Sequence, residues 1–582
     1  MNNTLHSSPK QSDTPTDLTL KLRNLPHQPG VYLFKNAHGD ILYIGKAAVL
    51  SDRIRSYFQK GADLTPKTLV LTSRIHDLET IVTQSALEAL LLESNLIKRH
   101  RPPFNVVLRD DKQYPYLRLP IKEDFPRLSI VRKVKKDDAL YFGPYVPTGA
   151  MRETIKIIRK VFPLATCTID IDGTADRACL EFEIKRCMAP CTGNQSKHDY
   201  HRIVKQVRMF LEGRDRELVD ALRKDMHAAA DREEFEEAAR LRDRITNVEK
   251  TLQKQRITQI DTIDQDVLGL ARSGSSVDLQ ILFVRGGLLI GRKDFYWNDV
   301  KDIPDHELIR STIEQFYNKD LLPPKELLLS TDVPDKELLT LWLSEKKGQK
   351  VRILVPERGG KSHLLRLAHD NAAVALEHHL QKHHREREAR SALQQLLHLP
   401  QPPTRIEGFD ISNTMGSQSV ASMVVWENGH MKKSDYRKFK ITTVEGANDF
   451  ASMEEIMFRR YGGTLATDKR KALPFPDVIL IDGGLGQLGA AINAINTLDV
   501  PPMSLFGLAK AKGEKEERIF LPGQHTPIVL SPQSHVSQLV QLIRDEAHRF
   551  ALRYHRRLRS KAVIPIQPGR RPTHRQQRTR PS

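Results

Sequence analysis

Residues 30–45 read GVYLFKNAHGDILYIG, and their pattern indicates how the first part of the chain folds. Two short apolar runs, residues 31–34 and 41–44, have the composition of β-strands. The turn-forming residues 36–40 lie between them, as a β-hairpin requires. The pattern predicts a hairpin within a compact α/β domain that covers residues 25–107.

Polar side chains with catalytic potential follow this hairpin. Arg53 and Tyr57 are four residues apart in a helical pattern, so they share one helix face. A later helical pattern, residues 85–100, carries Glu93 on its apolar face. Because burial of a lone carboxylate is costly, Glu93 is expected to have a cation or a hydrogen-bond donor as its partner.

Gly30-Val31-Tyr32, followed after ten residues by Tyr43-Ile44-Gly45, resembles the signature of the GIY-YIG nucleases. The resemblance implies hydrolysis of phosphodiester bonds with one divalent cation, Mg²⁺ or Mn²⁺, which Glu93 would hold. Tyr32, through Tyr43, would help to activate water. Arg53 would stabilise the charge of the phosphorane. The residues in the family's working positions are Tyr32, Tyr43, Lys46, Arg53, Tyr57, Glu93 and Asn105. Core tyrosines and a solvated arginine remain the alternative interpretation.

All four cysteines of the chain lie close together in the predicted Cys-cluster region, residues 108–197, with the spacing C-x11-C-x7-C-x3-C. Four thiolates suit a soft metal site, and the loose spacing favours a [4Fe–4S] cluster. Structural Zn²⁺ is the alternative, although only the last pair has the short spacing that is typical of zinc sites. Four unrelated core cysteines are a further possibility. The predicted ligands are Cys167, Cys179, Cys187 and Cys191.

A highly charged segment, residues 205–255, has two apolar stripes at helical spacing and predicts a helical hairpin. The stretch 234–243, EFEEAARLRD, resembles the UVR motif. The resemblance implies docking onto a like motif in the protein UvrB. The residues expected in that contact are Phe235, Ala238, Ala239, Leu241 and Ile245. The alternative is a hairpin that packs only on its own chain.

Two later strand patterns carry an acid at or near their ends. Asp410 lies within IEGFDIS, residues 406–412, and Asp482 closes the apolar run PDVILIDGG, residues 476–484. An apolar run that finishes in Asp is typical of a central parallel strand with its carboxylate at the carboxyl edge of the sheet. Adjacent carboxylates repel each other unless a divalent cation lies between them.

These acid-tipped strands, together with a later helix that contains His548, resemble an RNase H-like nuclease domain over residues 400–560. The resemblance implies that Asp410 and Asp482 bind Mg²⁺ or Mn²⁺. His548 would be a third ligand or a proton shuttle. Asp449 is expected as a fourth member of the site, unless it only caps the helix that it begins.

Residues 262–390 repeat the same order of elements, but Ala271 and Ser330 stand where the later copy has its two aspartates. The sequence therefore predicts a degenerate RNase H-like domain that lacks metal ligands and serves as a scaffold. The alternative is a coincidental similarity between two α/β patterns.

The composition points to a polyanionic partner. The 582 residues include 91 Lys and Arg against 72 Asp and Glu, a formal net charge of +19. No run of about 18 apolar residues exists, which excludes a membrane-spanning helix. The polar beginning is unlike a secretory signal, and four cysteines are too few for a disulfide-stapled protein, so a cytoplasmic location is expected. Residues 1–24 are expected to be disordered, and residues 561–582 to form a basic tail.

Over residues 25–560 these blocks together resemble the UvrC family and imply a multidomain α/β protein. The implied function is the incision subunit of bacterial nucleotide excision repair, within the SOS response. UvrA and UvrB would find damaged double-stranded DNA, and UvrB would recruit this chain. The GIY-YIG site would cut 3′ of the lesion, and the RNase H-like site would cut 5′ of it.

One departure and two alternatives accompany this interpretation. Residues 562–582 show no helix-hairpin-helix pattern, which UvrC proteins usually have after the RNase H-like domain, so weaker 5′ incision is expected. The first alternative is a GIY-YIG DNA endonuclease that acts outside repair. The second is a DNA-bound scaffold with only one active incision site.

Overall fold

The computed structural model describes the chain in several stretches and divides it into two compact units, Met1–His378 and His379–Ser582. The described residues are 16–59, 65–108, 113–135, 137–146, 148–193, 195–255, 263–412, 420–444, 448–467, 472–510 and 517–562. No helix among them is long and apolar enough to cross a membrane.

The first domain is a three-stranded antiparallel sheet with the strand order β2-β1-β3, flanked by helices. The predicted hairpin is confirmed as β1 and β2. Ser85 caps the helix that carries Glu93, because its side chain accepts a hydrogen bond from the backbone N–H of Glu88. The elements are α1 (Thr16–Arg23), β1 (Gly30–Lys35), β2 (Ile41–Ala47), α2 (Leu50–Ser56), α3 (Pro66–Arg74), β3 (Asp77–Val82) and α4 (Ala86–His100).

Helix α1 corrects the expectation that residues 1–24 are disordered. Leu18 and Leu22 share one face of α1, and they pack with Leu25, just after the helix, in the core of the first domain, where Leu18 is buried. Lys21 adds a hydrogen bond of 2.6 Å from its Nζ to Oδ1 of Asp77. Burial of these leucine side chains stabilises α1, although the residues around them are polar. Residues 1–15 lie outside the described part of the chain.

A small sheet with the strand order β5-β4-β6 and several helices follow. The predicted helical hairpin is present as α8 and α9, and its inner side packs against α5 and α7 of the same chain. The elements are β4 (Tyr116–Leu119), β5 (Ser129–Val131), β6 (Leu140–Phe142), α5 (Thr148–Val161), α6 (Leu180–Glu183), α7 (Lys197–Leu211), α8 (Asp215–Asp231) and α9 (Phe235–Gln255).

The next sheet has the order β11-β10-β7-β8-β9. β7, β8 and β9 are antiparallel neighbours, and β10 runs parallel to β7. This is the mixed sheet that the sequence predicts for the degenerate RNase H-like domain, residues 262–390, which is called the silent domain below. Ala271 lies in β7, and Ser330 follows the end of β10. The elements are β7 (Gln265–Ser273), β8 (Ser276–Arg285), β9 (Leu288–Trp297), α10 (Asp305–Tyr317), β10 (Glu326–Leu329), α11 (Lys336–Lys347), β11 (Arg352–Leu354) and the long helix α12 (Gly359–Leu396).

The second unit contains an eight-stranded mixed sheet with the order β14-β13-β12-β16-β17-β18-β19, in which β15 pairs with β13. Helix α16 covers one face of the sheet, and α13 and α15 cover the other. The elements are β12 (Arg405–Ser412), β13 (Val420–Glu427), β14 (His430–Met431), β15 (Arg437–Lys440), α13 (Asp449–Met457), α14 (Thr464–Thr467), β16 (Val478–Asp482), α15 (Leu485–Asn496), β17 (Ser504–Lys510), β18 (Glu517–Phe520), β19 (Ile528–Leu530) and α16 (His535–Ala562).

Candidate active sites

The first candidate site is built around Tyr32, which is buried in β1. Gly45 lies opposite Tyr32 on β2, and a Cβ atom at Gly45 would come within 2.4 Å of the Tyr32 hydroxyl. The glycine therefore makes room for this hydroxyl, which lies 3.0 Å from the hydroxyl of Tyr57. Burial, and then the nearby Tyr57, raise the pKa of Tyr32 well above its ordinary value. Tyr32 is thus a hydrogen-bonding phenol at neutral pH.

Arg53 and Tyr43 complete the cluster of phenols. Nη2 of Arg53 lies 3.5 Å from the Tyr57 hydroxyl, and its guanidinium carbon lies 5.3 Å from the centre of the same ring. The ring centre of Tyr43 is 6.2 Å from that of Tyr32, and burial raises the pKa of Tyr43. The site therefore combines neutral phenols with a permanent positive charge, which suits the stabilisation of a phosphorane.

Glu93 has the properties of a cation ligand. It is buried, and its Oε1 accepts a hydrogen bond of 3.1 Å from the backbone N–H of Lys46. Its Oε2 is also buried and has no hydrogen-bond partner among the described residues. Burial, and then the charge of Glu314, raise the pKa of Glu93 to about 8, against the opposing effects of Arg310 and Lys46. A divalent cation would favour the ionised form, so this carboxylate fits the metal that the sequence predicts.

Lys46 and Asn105, which are also predicted for this site, bind a carboxylate and a backbone amide of the protein rather than the tyrosine cluster. The ammonium group of Lys46 forms an ion pair with Asp335, a residue of the silent RNase H-like domain. Asn105 accepts a hydrogen bond of 2.9 Å from the N–H of Ile44 and donates one of 2.7 Å to the Ile44 carbonyl. Asn105 thus holds β2 in place through backbone contacts, so its support of the tyrosine cluster is indirect.

Sequence reasoning missed the contribution of the silent domain to this site. An open cavity of about 760 Å³ has walls from both domains, including Arg53, Arg310 and Asp335. Arg310 and Glu314 also influence the pKa of Glu93. These residues lie more than 200 positions after Glu93, and no local pattern in the sequence connects them with it.

The second candidate site lies in the other unit, where two acid-bearing strands run side by side. β12 and β16 are parallel, and Phe409 pairs with Ile481, so Asp410 and Asp482 are neighbours at the same edge of the sheet. Burial, and then the charge of Asp410, raise the pKa of Asp482 to about 7. Two carboxylates that disfavour each other's charge in this way form a natural site for a divalent cation.

Helix α16 brings His548 to these carboxylates. Nδ1 of His548 lies 3.5 Å from Oδ2 of Asp410. The helix can approach the sheet because β12 has Gly408 at the crossing, where a Cβ atom would lie 2.5 Å from Cγ2 of Ile543. Asp410, Asp482 and His548 are therefore brought together, as the sequence predicts, although their catalytic roles remain predictions.

Asp449 is the first residue of α13, and it contacts the first turn of α15. Its Oδ2 accepts a hydrogen bond of 3.4 Å from Nε2 of Gln487. The N-cap of the helix is Asn448, whose side chain accepts a hydrogen bond from the N–H of Ala451. Asp449 is therefore not the residue that caps α13, which was the alternative role expected for it. Its membership of the site remains a prediction.

Sequence reasoning also missed Glu517 and Arg544. Glu517 is a buried residue of β18 that forms an ion pair with Arg544 of α16. Glu517 raises the pKa of Asp482, and Arg544 lowers it, so both side chains act on the carboxylate pair electrostatically. Arg544 precedes His548 by one helical turn, and that spacing is the only signal of its position in the sequence.

The four cysteines belong to one segment of the first unit, residues 167–191. Cys187 and Cys191 are buried, and Cys179 is exposed. Burial raises the pKa of Cys187, the hydrogen bond from the backbone N–H of Ala189 lowers it, and ionised thiolates at the other three cysteines would raise it. A bound soft metal ion would offset the repulsion between thiolates, so the cysteines suit the predicted metal site.

The predicted UvrB-binding residues of the helical hairpin differ in their exposure. Leu241 and Ile245 are buried in the core that α8 and α9 share with α5 and α7. Ala238 and Ala239 are half-buried, and Phe235 is 68% exposed at the beginning of α9. The inner stripe thus packs on its own chain, and Phe235 is the large apolar side chain of this set that a partner can reach.

Comparisons with known proteins agree with this architecture. Family models match five successive parts of the chain: the UvrC-like GIY-YIG domain (residues 28–106), the UvrC/Cho excinuclease middle domain (114–210), the UvrB/uvrC motif (216–251), the UvrC Ribonuclease H-like domain (264–379) and the UvrC RNAse H endonuclease domain (394–552). UvrABC system protein C of Caldanaerobacter subterraneus subsp. tengcongensis is 42% identical over 560 residues, which cover 94% of this chain and 90% of the relative. The chain belongs to the UvrC family. The family member of Moorella thermoacetica is 43% identical over 551 residues, which cover 94% of this chain and 89% of that relative.

The chain also resembles solved structures over parts of its length. The GIY-YIG N-terminal endonuclease domain of UvrC from Thermotoga maritima, bound to magnesium, is 44% identical and covers 16% of this chain and 98% of that chain, with a TM-score of 0.15. Human ENDOV is 13% identical and covers 28% of this chain and 87% of that chain, with a TM-score of 0.19. The resemblance of residues 25–560 to the UvrC family is confirmed by the family models and the relatives. The exact domain bounds stay a prediction.

Proposed function

We propose that the chain is the incision subunit of bacterial nucleotide excision repair. It cuts one strand of damaged double-stranded DNA 3′ of the lesion at the Tyr32–Glu93 site and 5′ of it at the Asp410–Asp482 site. The observation that carries the proposal is the presence, in one chain of the UvrC family, of two unrelated sites, one with the buried Glu93 and one with the neighbouring Asp410 and Asp482. Burial raises the pKa of Glu93 and of Asp482. Excision of a lesion needs two cuts, and two such sites supply them.

At the first site, Glu93 would hold Mg²⁺ or Mn²⁺, and the bound cation would supply Lewis-acid activation of the phosphate and stabilisation of the leaving oxygen. The paired hydroxyls of Tyr32 and Tyr57, 3.0 Å apart, orient the attacking water by hydrogen bonding. Arg53 places its positive charge beside these hydroxyls and stabilises the charge that develops on the phosphate. Burial keeps Tyr32 protonated, so its role is orientation of the water.

At the second site, Asp410 and Asp482 would hold the cation between them. His548 contacts Asp410 from outside the sheet and is exposed, so it can exchange a proton with solvent. The positive charge of Arg544 lowers the pKa of Asp482 and so favours its ionised form. These three features support hydrolysis that depends on a divalent cation.

The helical hairpin is proposed to bind UvrB, with Phe235 as the anchor. Its exposure of 68% leaves a large aromatic surface for a partner, whereas Leu241 and Ile245 stabilise the hairpin itself. UvrA would act on this chain indirectly, through UvrB. The proposal places the protein in the cytoplasm and within the SOS response.

The four cysteines are proposed to hold a [4Fe–4S] cluster, with structural Zn²⁺ as the alternative. The support is that all four cysteines of the chain lie within residues 167–191, with Cys187 and Cys191 buried. Iron and zinc analysis of the purified protein, together with absorption in the visible range, distinguishes the two. Iron with visible absorption that is lost in Cys187→Ser supports the cluster, and zinc without such absorption supports the alternative.

The function is tested by incision of an end-labelled duplex that carries one bulky lesion, with UvrA, UvrB, ATP and Mg²⁺. Labels at either end report the two cuts separately. The proposal expects both products, and it expects neither product without UvrB or without the lesion. Equal cutting of undamaged DNA in the absence of UvrB would instead support an endonuclease outside repair. A single product would support a scaffold with one active site.

A further inference from the structure

An exposed aromatic ring lies beside the acid site of the second unit. Phe450 follows Asp449 in the first turn of α13, and it is 55% exposed. Leu485, the first residue of α15, is 39% exposed. Exposed aromatic rings at a candidate nuclease site need a reason, because burial of such a ring in the core would be favourable.

The ring is held in place by a glycine. A Cβ atom added at Gly486 would come within 2.3 Å of Cε1 and 2.7 Å of Cζ of Phe450. The ring therefore rests directly on the backbone of α15 at this position, and Phe450 remains 55% exposed. Gly489, in the same helix, has no atom within 4 Å of such a Cβ, so close contact is specific to Gly486.

The position of the ring relative to the acids is fixed by two connections. Helix α15 begins three residues after Asp482, and Gly486 lies in its first turn. Helix α13 is tied to α15 by the hydrogen bond of 3.4 Å between Gln487 and Asp449, the residue before Phe450. The first turns of both helices thus lie at the carboxyl edge of the sheet, where the predicted metal ligands are.

We propose that Phe450, seated on Gly486, stacks on a base of the DNA strand next to the phosphate that the Asp410–Asp482 site cuts. The proposal rests on the proposed 5′ incision and adds a substrate contact to it. A planar ring with an open face suits any base, because every base has a π-face. The small patch of Phe450 and Leu485 fits one nucleotide, whereas a stable protein interface needs about 800 Å² on each partner.

The test uses the full chain with UvrB on a damaged duplex that is already nicked on the 3′ side, so that only the 5′ cut is measured. The variants are Phe450→Ala, which removes the ring, Phe450→Trp, which keeps a ring, and Gly486→Ala, which displaces it. The matched controls are Gly489→Ala, in the same helix with open space around it, and Phe458→Ala, another exposed aromatic residue of the same segment.

Loss of one base–aromatic stack should raise the KM for the 5′ cut about tenfold in Phe450→Ala and Gly486→Ala, with kcat changed less than about twofold. Phe450→Trp and both controls should keep the original KM. A second readout is 2-aminopurine at the bases that flank the cut, measured in Ca²⁺ so that the strand stays intact. The original protein should quench its fluorescence, and Phe450→Ala should not.

The proposal is overturned if Phe450→Ala keeps both the KM and the quenching. It is equally overturned if Phe450→Ala weakens binding to UvrB alone, because the ring would then be a protein contact. The result for Asp482→Asn separates this inference from the proposed function. If Asp482→Asn abolishes the 5′ cut while Phe450→Ala has no effect, the incision site stands and the stacking contact does not.

Discussion

Nδ1 of His548 lies 3.5 Å from Oδ2 of Asp410, which joins helix α16 to the first acid-bearing strand of the second unit. This contact connects the sheet that carries the acids with an imidazole, a side chain that can act as a general acid or base. Asp482 lies beside Asp410 on the neighbouring parallel strand. One strand pair and one helix therefore supply Asp410, Asp482 and His548.

Removal of this imidazole should slow the 5′ cut. His548→Ala is expected to lower the rate on a 3′-nicked duplex by about 10²–10⁴-fold, because a positioned acid–base group contributes that much. His535→Ala is the matched control, since His535 belongs to the same helix but contacts Glu388. Single-turnover rates measure both variants. An equal loss in the two variants would assign the effect to the stability of α16.

The carboxyl group of Asp482 should make stability depend on pH when no divalent cation is bound. Its pKa is raised from 3.8 to about 7, so the folded unit binds the proton more tightly than the unfolded chain. The destabilisation is absent below about pH 4, grows as the pH rises and is complete above about pH 7. Asp482→Asn should therefore melt at a higher temperature than the original protein at about pH 8 in EDTA, with a smaller difference at about pH 5.

Calorimetry of the two proteins at both pH values checks this expectation. Addition of Mg²⁺ at about pH 8 should raise the melting temperature of the original protein and leave Asp482→Asn nearly unchanged, because only the original site binds the cation well. An equal or lower melting temperature for Asp482→Asn in EDTA at both pH values would contradict the electrostatic account of this site.

Gly45 should be essential for the 3′ cut. In Gly45→Ala the new methyl group would lie 2.4 Å from the Tyr32 hydroxyl, so the ring must move. Displacement of a reacting group by about 1 Å can cost about a hundredfold in rate, and we expect a loss of that size. The 5′ cut on a 3′-nicked duplex should be unchanged. Gly149→Ala, with no atom within 4 Å, is the control. Normal 3′ incision by Gly45→Ala would show that the Tyr32 hydroxyl has no role.

The ion pair between Lys46 and Asp335 should slow the 3′ cut, because it keeps the ammonium group of Lys46 away from DNA. Asp335→Ala would free the ammonium group of Lys46 for contact with a DNA phosphate. Because a partly exposed ion pair is worth about 1 kcal/mol or less, we expect the 3′ cut to become faster by at most about fivefold. Asp332→Ala, which breaks an exposed ion pair with Lys336, is the control. Initial rates measure the effect, and a slower 3′ cut in Asp335→Ala alone would contradict it.

Local patterns in the sequence predicted the parts of the molecule that local forces determine. The hairpin of β1 and β2 follows from apolar runs and turn residues, and the apolar run that ends in Asp482 places this acid at the edge of a central strand. The disorder expected for residues 16–24 was wrong, because burial of Leu18 depends on a sheet that forms later in the chain. The role of Asn105 as a backbone clamp could not be inferred, since it requires the exact position of β2.

Long-range contacts explain the other residues that were missed. Glu314 and Arg310 act on Glu93 only because α10 of the silent domain lies next to α4. Glu517 acts on Asp482 because β18 joins the same sheet two strands away. Charge alone does not reveal such pairs in a chain with 163 charged Lys, Arg, Asp and Glu residues, the sum of 91 and 72.

The central claim is that one chain has two independent sites for cutting DNA. The most direct measurement compares Arg53→Ala and Asp410→Ala on a lesion-containing duplex labelled at both ends, and on the same duplex already nicked on the 3′ side. The account predicts that Arg53→Ala loses the 3′ cut but still makes the 5′ cut on the nicked duplex, and that Asp410→Ala loses only the 5′ cut. Loss of both cuts on both substrates in either variant, or loss of neither in both, would contradict it.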